Sequence, residues 1–143
     1  LSSSSAASDV YKRQDLCDIT EKPFVASHSN SRAVCRHVRN LTDEQFKALC
    51  QIGGTAGLNL YGAFLKDDGP VTFEDVWRHI EHFLELGGEG HIALGGDLDG
   101  CGTLVAGMQG VQDMPRLWQA LAARGYPQTL LEDLFWNNLR RLI

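Results

Sequence analysis

The chain has 143 residues, 43% of them apolar and 22% charged, with a formal net charge of −5. That is the length of one modest domain with an ordinary globular composition. The acidic balance argues against nucleic-acid binding, which shows a basic footprint. No apolar run approaches the roughly 18 residues of a membrane span. The four cysteines, Cys17, Cys35, Cys50 and Cys101, include no Cys-x-x-Cys pair. This argues against a zinc ribbon and for reduced, buried thiols, which lean towards a cytoplasmic setting.

Residues 1–14 are rich in serine and alanine and lack a sustained hydrophobic period. They are expected to be a non-family leader, disordered or artefactual in origin, and they do not read as a signal peptide. The chain does not start with methionine, so a piece of a longer protein is expected.

From Asp15 onward strands and helices alternate. Residues 23–27 read as a strand ending at Ser27-His28-Ser29. Thr42 is a good N-cap with Gln45 at the capping-box position, and Phe46, Leu49 and Cys50 continue an apolar helix face until Gly53-Gly54. Residues 55–61 read as the next strand, ending at Asn59-Leu60-Tyr61. Thr72, with Asp75 three residues on, opens a second helix; Phe73, Val76, Trp77, Ile80, Phe83 and Leu84 form its apolar stripe, and Gly87-Gly88 ends it. A third strand over 91–95 runs into Gly95-Gly96-Asp97-Leu98-Asp99-Gly100. A loop over 96–112 leads to a helix at about 114–124, with Leu117, Leu121 and Ala122 on its inner face, and a last helix spans about 128–142. The alternation implies parallel strands with helical crossovers. A (β/α)8 barrel needs about 250 residues, so the chain reads either as about three βα units of one or as a small open sheet.

Each strand ends in polar groups, the place where barrel enzymes keep their chemistry. His28, among small polar neighbours, suits a metal ligand, a base or a hydrogen-bonded turn histidine. Arg32, Arg36 and Arg39 form a basic run with His37, and one of these arginines suffices to fork onto a carboxylate. Asp97 and Asp99 can act as metal ligands, acid–base groups or turn caps. An EF-hand needs an oxygen ligand at position 5 and a glutamate at 12; counted from Asp97, those places hold Cys101 and Met108. His79 and His82 lie three apart and do not make a His-Glu-x-x-His pair, so packing or hydrogen bonding is expected of them. No Gly-x-Gly-x-x-Gly fingerprint supports phosphate binding.

Taken together, Pro23-Phe24-Val25-Ala26-Ser27-His28-Ser29-Asn30, Val38-Arg39-Asn40-Leu41-Thr42-Asp43-Glu44-Gln45, Asn59-Leu60-Tyr61 and Gly95-Gly96-Asp97-Leu98-Asp99-Gly100 resemble the membrane (renal) dipeptidases, the M19 metallopeptidases. Trp136-Asn137-Asn138-Leu139-Arg140-Arg141 resembles that family's C-terminal helix. The likeness runs from about Asp15 to Ile143. It implies the C-terminal portion of a (β/α)8 TIM-barrel hydrolase that cleaves dipeptides with two zinc ions bridged by a glutamate. By the same resemblance His28 is a zinc ligand, Arg39 grips the substrate's free carboxylate and Tyr61 lines the substrate pocket. Asp97 assists proton transfer to the leaving amine. A dipeptide is the implied substrate and a homodimer the assembly to look for. The family's His-x-Asp pair, bridging glutamate and earlier histidine ligand have no counterpart here. Zinc wants three or four protein ligands, so the isolated chain is expected to lack peptidase activity. The competing reading is a non-catalytic α/β binding module or pseudoenzyme.

Overall fold

A computed structural model of the chain describes residues 15, 19–100 and 102–143. The expected leader, Cys17 and Cys101 lie outside the described residues, while Cys35 and Cys50 are free thiols. Three strands, β1 (Val25–Ala26), β2 (Thr55–Asn59) and β3 (Ile92–Gly96), form one parallel sheet in the order β1-β2-β3. The connection from β1 to β2 carries α1 (Asp43–Gln51). That from β2 to β3 carries a short α2 (Gly62–Leu65) and α3 (Phe73–Glu85). After β3 come a 3-10 turn (Val111–Asp113), α4 (Met114–Ala123) and a last helical rod. The rod comprises α5 (Gln128–Glu132), a π-helical turn (Asp133–Asn137) and α6 (Asn138–Arg140). Strands that neighbour in sequence and pair in parallel are the pattern of consecutive barrel units. No described helix is long and apolar enough to cross a membrane.

The helix starts follow their capping chemistry. Thr42 accepts from the Gln45 N–H at 3.2 Å and Gln45 Oε1 accepts from the Thr42 N–H at 3.0 Å. Thr72 and Asp75 make the equivalent box on α3. Both reciprocal pairs satisfy backbone donors that a helix start leaves open. The expected apolar stripe of α3 packs on α1 through stacked Phe46 and Phe83 rings, with centroids 3.9 Å apart. β2 is buried along its whole length. Side chains alternate across a strand: Ala56 and Leu58 join Ile92, Ile80 and Leu134 in the core, while Gly57 and Asn59 point to the other face.

Four details differ from the sequence reading. α2 was not expected, Ala122 is exposed, and the last helix is interrupted by the π turn. β1 and β2 are also shorter than the expected strands 23–27 and 55–61, and two ladders are broken near their C-terminal ends. Val25 pairs with Thr55 and Ala26 with Ala56. A regular parallel ladder would next place the His28 N–H on the Gly57 carbonyl; the Ser29 N–H is there instead, at 2.8 Å. One extra residue is therefore inserted at Ser27-His28. Between β2 and β3, Leu58 pairs with Leu94 but Asn59 with Gly96, so Gly95 is extra. Such bulges bend a strand and re-aim its side chains. Here the first carries His28 and the second precedes Asp97.

Glycine makes the first bulge sterically feasible. A Cβ on Gly95 would lie 1.9 Å from the Ser27 carbonyl oxygen, and one on Gly57 2.4 Å from it. The chain leaving β1 thus lies directly on the sheet. Gly95→Ala is expected to push the Ser27-His28 segment off and to cost about 1–3 kcal/mol through overpacking. Urea midpoints check this; an unchanged midpoint would refute the close packing.

Candidate active site

A cleft of about 590 Å³ opens at the C-terminal ends of the three strands. His28 from the end of β1, Arg39 from the loop before α1, Tyr61 after β2 and Asp97 after β3 all line it. All four residues singled out from the sequence therefore share one cavity. Asp99 is exposed and stands outside its lining.

His28 sits on the first bulge, with Nδ1 2.8 Å from Ser27 Oγ. Asp97 follows the second bulge at φ 62°, and among the described residues it is the non-glycine residue with a positive φ. Left-handed backbone is uncommon outside glycine, and aspartate is among the residues that tolerate it. Asn59 Nδ2 donates to Asp97 Oδ2 at 3.0 Å. The other oxygen, Oδ1, abuts Gly100, where a Cβ would come within 2.1 Å of it.

The basic run separates into different jobs. Arg32 is used internally: its Nη2 donates to the Val38 carbonyl at 2.6 Å and to the Asn40 carbonyl at 2.8 Å, and its Nε also donates to Asn40. Arg36 is exposed and its backbone N–H donates to Asp67. Arg39 enters the cleft, with its guanidinium carbon 5.8 Å from the centroid of the Phe64 ring, a cation–π distance. His37 also packs against Phe64, with ring centroids 4.4 Å apart. Burial, and then the charges of Arg39 and Arg32, lower the His37 pKa from its usual value. His37 Nδ1 accepts the Arg39 N–H at 3.2 Å.

Three buried asparagines hold these pieces together, and they carry no signal of their own in the sequence beyond following strands or a motif residue. Asn30 Oδ1 accepts the Asn59 N–H at 2.7 Å, and its Nδ2 donates to the Asn59 and Phe64 carbonyls. Asn40 Nδ2 donates to the Cys35 and Phe64 carbonyls. Asn59 Oδ1 accepts the Tyr61 N–H at 2.8 Å, an Asx turn that sets how the chain leaves β2. The Tyr61 ring meets Phe64 edge-on at 5.0 Å. Phe64, absent from the sequence expectations, is the hub on which Arg39 and Tyr61 rest.

The helix histidines are structural, as the sequence reading expected. His79 is fully buried and bridges the loop after β1 to α2: Nδ1 accepts from the Ser31 N–H at 3.0 Å and Nε2 donates to the Leu65 carbonyl at 2.9 Å. His82 Nε2 pairs with Asp43 at 2.8 Å.

The donor set for a metal is sparse. Among the described residues no three His, Cys, Asp or Glu side chains converge. Zinc wants three or four protein ligands, so these residues do not by themselves make a zinc site. The cleft offers His28 as a single imidazole donor, a cation in Arg39 and a held carboxylate in Asp97.

Comparison with known proteins gives this geometry its context. The description "Membrane dipeptidase (Peptidase family M19)" matches residues 3–143. A Klebsiella pneumoniae protein described as an uncharacterized protein in the pqqA 5′ region is 42% identical over 127 residues, 85% of this chain and 46% of its own length. The chain thus spans less than half of that relative. The solved structure of the M19 metallopeptidase dipeptidase AC superposes with a TM-score of 0.85 at 34% identity, over 91% of this chain and 39% of that one. A Rhodobacter sphaeroides metallopeptidase, solved with a phosphinate mimic of the dipeptide L-Ala-D-Ala, has a TM-score of 0.85 at 34% identity, over 91% and 38%. The three parallel βα units are accordingly part of a TIM-barrel-like fold rather than a small self-standing sheet. The chain belongs to the membrane dipeptidase family, peptidase family M19.

Proposed function

We propose that this chain supplies the substrate-binding and proton-handling side of a zinc-dependent dipeptidase. The observation that supports this reading is the convergence of His28, Arg39, Tyr61 and Asp97, from separate strand ends, on one cleft. Arg39, steadied on Phe64, forks onto the free carboxylate of a dipeptide. Tyr61 closes the pocket beside it. Asp97 holds the proton that the leaving amine nitrogen takes up as the peptide bond breaks. His28 is the one zinc ligand this chain offers, and the rest of a two-zinc site is assigned to other parts of the complete protein. The Rhodobacter relative's dipeptide mimic is consistent with a dipeptide as substrate.

Substrate with and without its charge tests the reading. The complete protein carrying this chain is expected to hydrolyse a dipeptide with a free C-terminus at least tenfold faster than the same dipeptide amide. Equal rates would remove Arg39 from its role. The sparse donor set supports a second expectation: the 143-residue chain alone binds such a dipeptide without cleaving it. Chelator-sensitive hydrolysis by the isolated chain would overturn this.

A further inference from the structure

Asn59 has both ends of its side chain committed, and the two commitments are of opposite kind. Its Oδ1 accepts from the Tyr61 backbone N–H at 2.8 Å, and its Nδ2 donates to Asp97 Oδ2 at 3.0 Å. A backbone N–H can only donate, so the amide cannot turn over without setting two donors against each other. The residue is 1% exposed. Its own backbone is clamped on both sides by Asn30, whose Oδ1 takes the Asn59 N–H and whose Nδ2 reaches the Asn59 carbonyl. Asn59 is therefore a rigid strut with a donor permanently aimed at one carboxylate oxygen.

What the strut joins gives it a job. Tyr61 and Arg39, the residues proposed to hold the substrate carboxylate, both rest on the Phe64 ring. Asp97, proposed to handle the scissile amide, lines the same cleft and is held by the other end of the Asn59 amide. We propose that Asn59 is a positioning residue that fixes the spacing between the carboxylate grip and Asp97, and so selects substrates in which one carbon separates the scissile amide nitrogen from the carboxylate. This rests on the dipeptidase reading above. Catalytic groups need placement to within a fraction of an ångström, and small displacements cost large factors in rate.

A substrate one methylene longer measures that spacing. Dipeptides ending in α-alanine and in β-alanine present the same carboxylate and amide, with the latter adding one carbon between them. In the complete enzyme the α-alanine substrate is expected to be strongly preferred in kcat/KM. In Asn59→Ser, which lacks the amide strut, that preference is expected to fall at least tenfold, with most of the loss on the α-substrate in kcat. Asn59→Gln, which keeps both amide groups on a longer arm, is expected to shift the preference in the same direction while retaining more activity. A merely structural role would lower both substrates alike. An unchanged preference in either folded variant therefore overturns the assignment while leaving the dipeptidase reading intact. An unmodified complete protein that cleaves neither substrate overturns the dipeptidase reading and this assignment with it. Failure of both variants to fold, under conditions where Asp97→Asn folds, would make Asn59 a folding residue and also overturn the proposal.

Discussion

Asp97→Asn in the complete protein is expected to lower kcat for a dipeptide by about 10²–10⁴-fold, the range of a positioned general acid–base group, with KM changed by no more than severalfold. Asparagine is the informative replacement because the site constrains what else can change. Asp97 holds φ 62°, a conformation asparagine also adopts at little cost, so the backbone turn is kept. An amide oxygen can still accept the Asn59 Nδ2 proton that Asp97 Oδ2 accepts at 3.0 Å. What is lost is the ability to hold and release a proton beside the leaving nitrogen. Asp97→Ala would mix that loss with left-handed backbone strain and with an unpaired Asn59 donor. Steady-state kinetics with a circular-dichroism check of folding decides the point. A folded Asp97→Asn variant within threefold of the parent kcat would take the proton role away from Asp97. A variant with normal kcat and raised KM would instead make Asp97 a binding group.

Much of this arrangement is legible in the sequence, and the illegible part has a physical cause. Helix starts are local chemistry, so Thr42 with Gln45 and Thr72 with Asp75 mark α1 and α3 directly. Apolar runs ending in polar residues locate the strand ends, and with them His28, Tyr61 and Asp97. The bulges are not legible, because they depend on which backbone group of one strand meets which of another. Residues 23–27 read as a continuous strand, yet the ladder slips once the Ser29 N–H takes the Gly57 carbonyl. Residue chemistry alone likewise does not divide the arginines, and only the resemblance singles out Arg39. Arg32, Arg36 and Arg39 are chemically alike in one loop, and only the folded loop sends Arg32 to the Val38 and Asn40 carbonyls while Arg39 reaches Phe64. Asn30, Asn40 and Asn59 are illegible as a group for the same reason. A buried amide is defined by the distant backbone it satisfies, and the Phe64 carbonyl that serves two of them lies 34 residues from Asn30 and 24 from Asn40.

The largest stability effect is expected at His79, and it carries a pH signature. Burial pulls the His79 pKa down to about 4; against it, the hydrogen bond to the Leu65 carbonyl and the carboxylates of Asp75 and Asp67 favour the charged form, while His82 disfavours it. The hydrogen bonds dictate the neutral tautomer, because Nδ1 must stay unprotonated to accept the Ser31 N–H. The unfolded chain takes up a proton as the pH falls through about 6.5, whereas the folded chain resists until about 4. The contribution of neutral His79 is therefore complete above pH 6.5 and is lost progressively as the pH falls from 6.5 towards 4. The loss is about 3 kcal/mol in all, at 1.36 kcal/mol per unit. His79→Phe fills the space but strands the Ser31 N–H and the Leu65 carbonyl, for a cost of about 2–4 kcal/mol at pH 7.5. Because Phe does not titrate, the stability gap between parent and variant should shrink as the pH is lowered from 7 to 4.5. Urea unfolding of both proteins across that range isolates His79, since every other group titrates in common. A gap that stays constant with pH would mean that His79 takes up its proton equally in the folded and unfolded chain, and a gap that widens as the pH falls would mean that the fold favours the charged imidazole; either overturns the neutral bridge from Ser31 to α2. Protonating His79 or replacing it with Phe removes the acceptor of the Ser31 N–H and so loosens the loop that carries His28, three residues before Ser31, which connects stability at this buried imidazole to the geometry of the cleft.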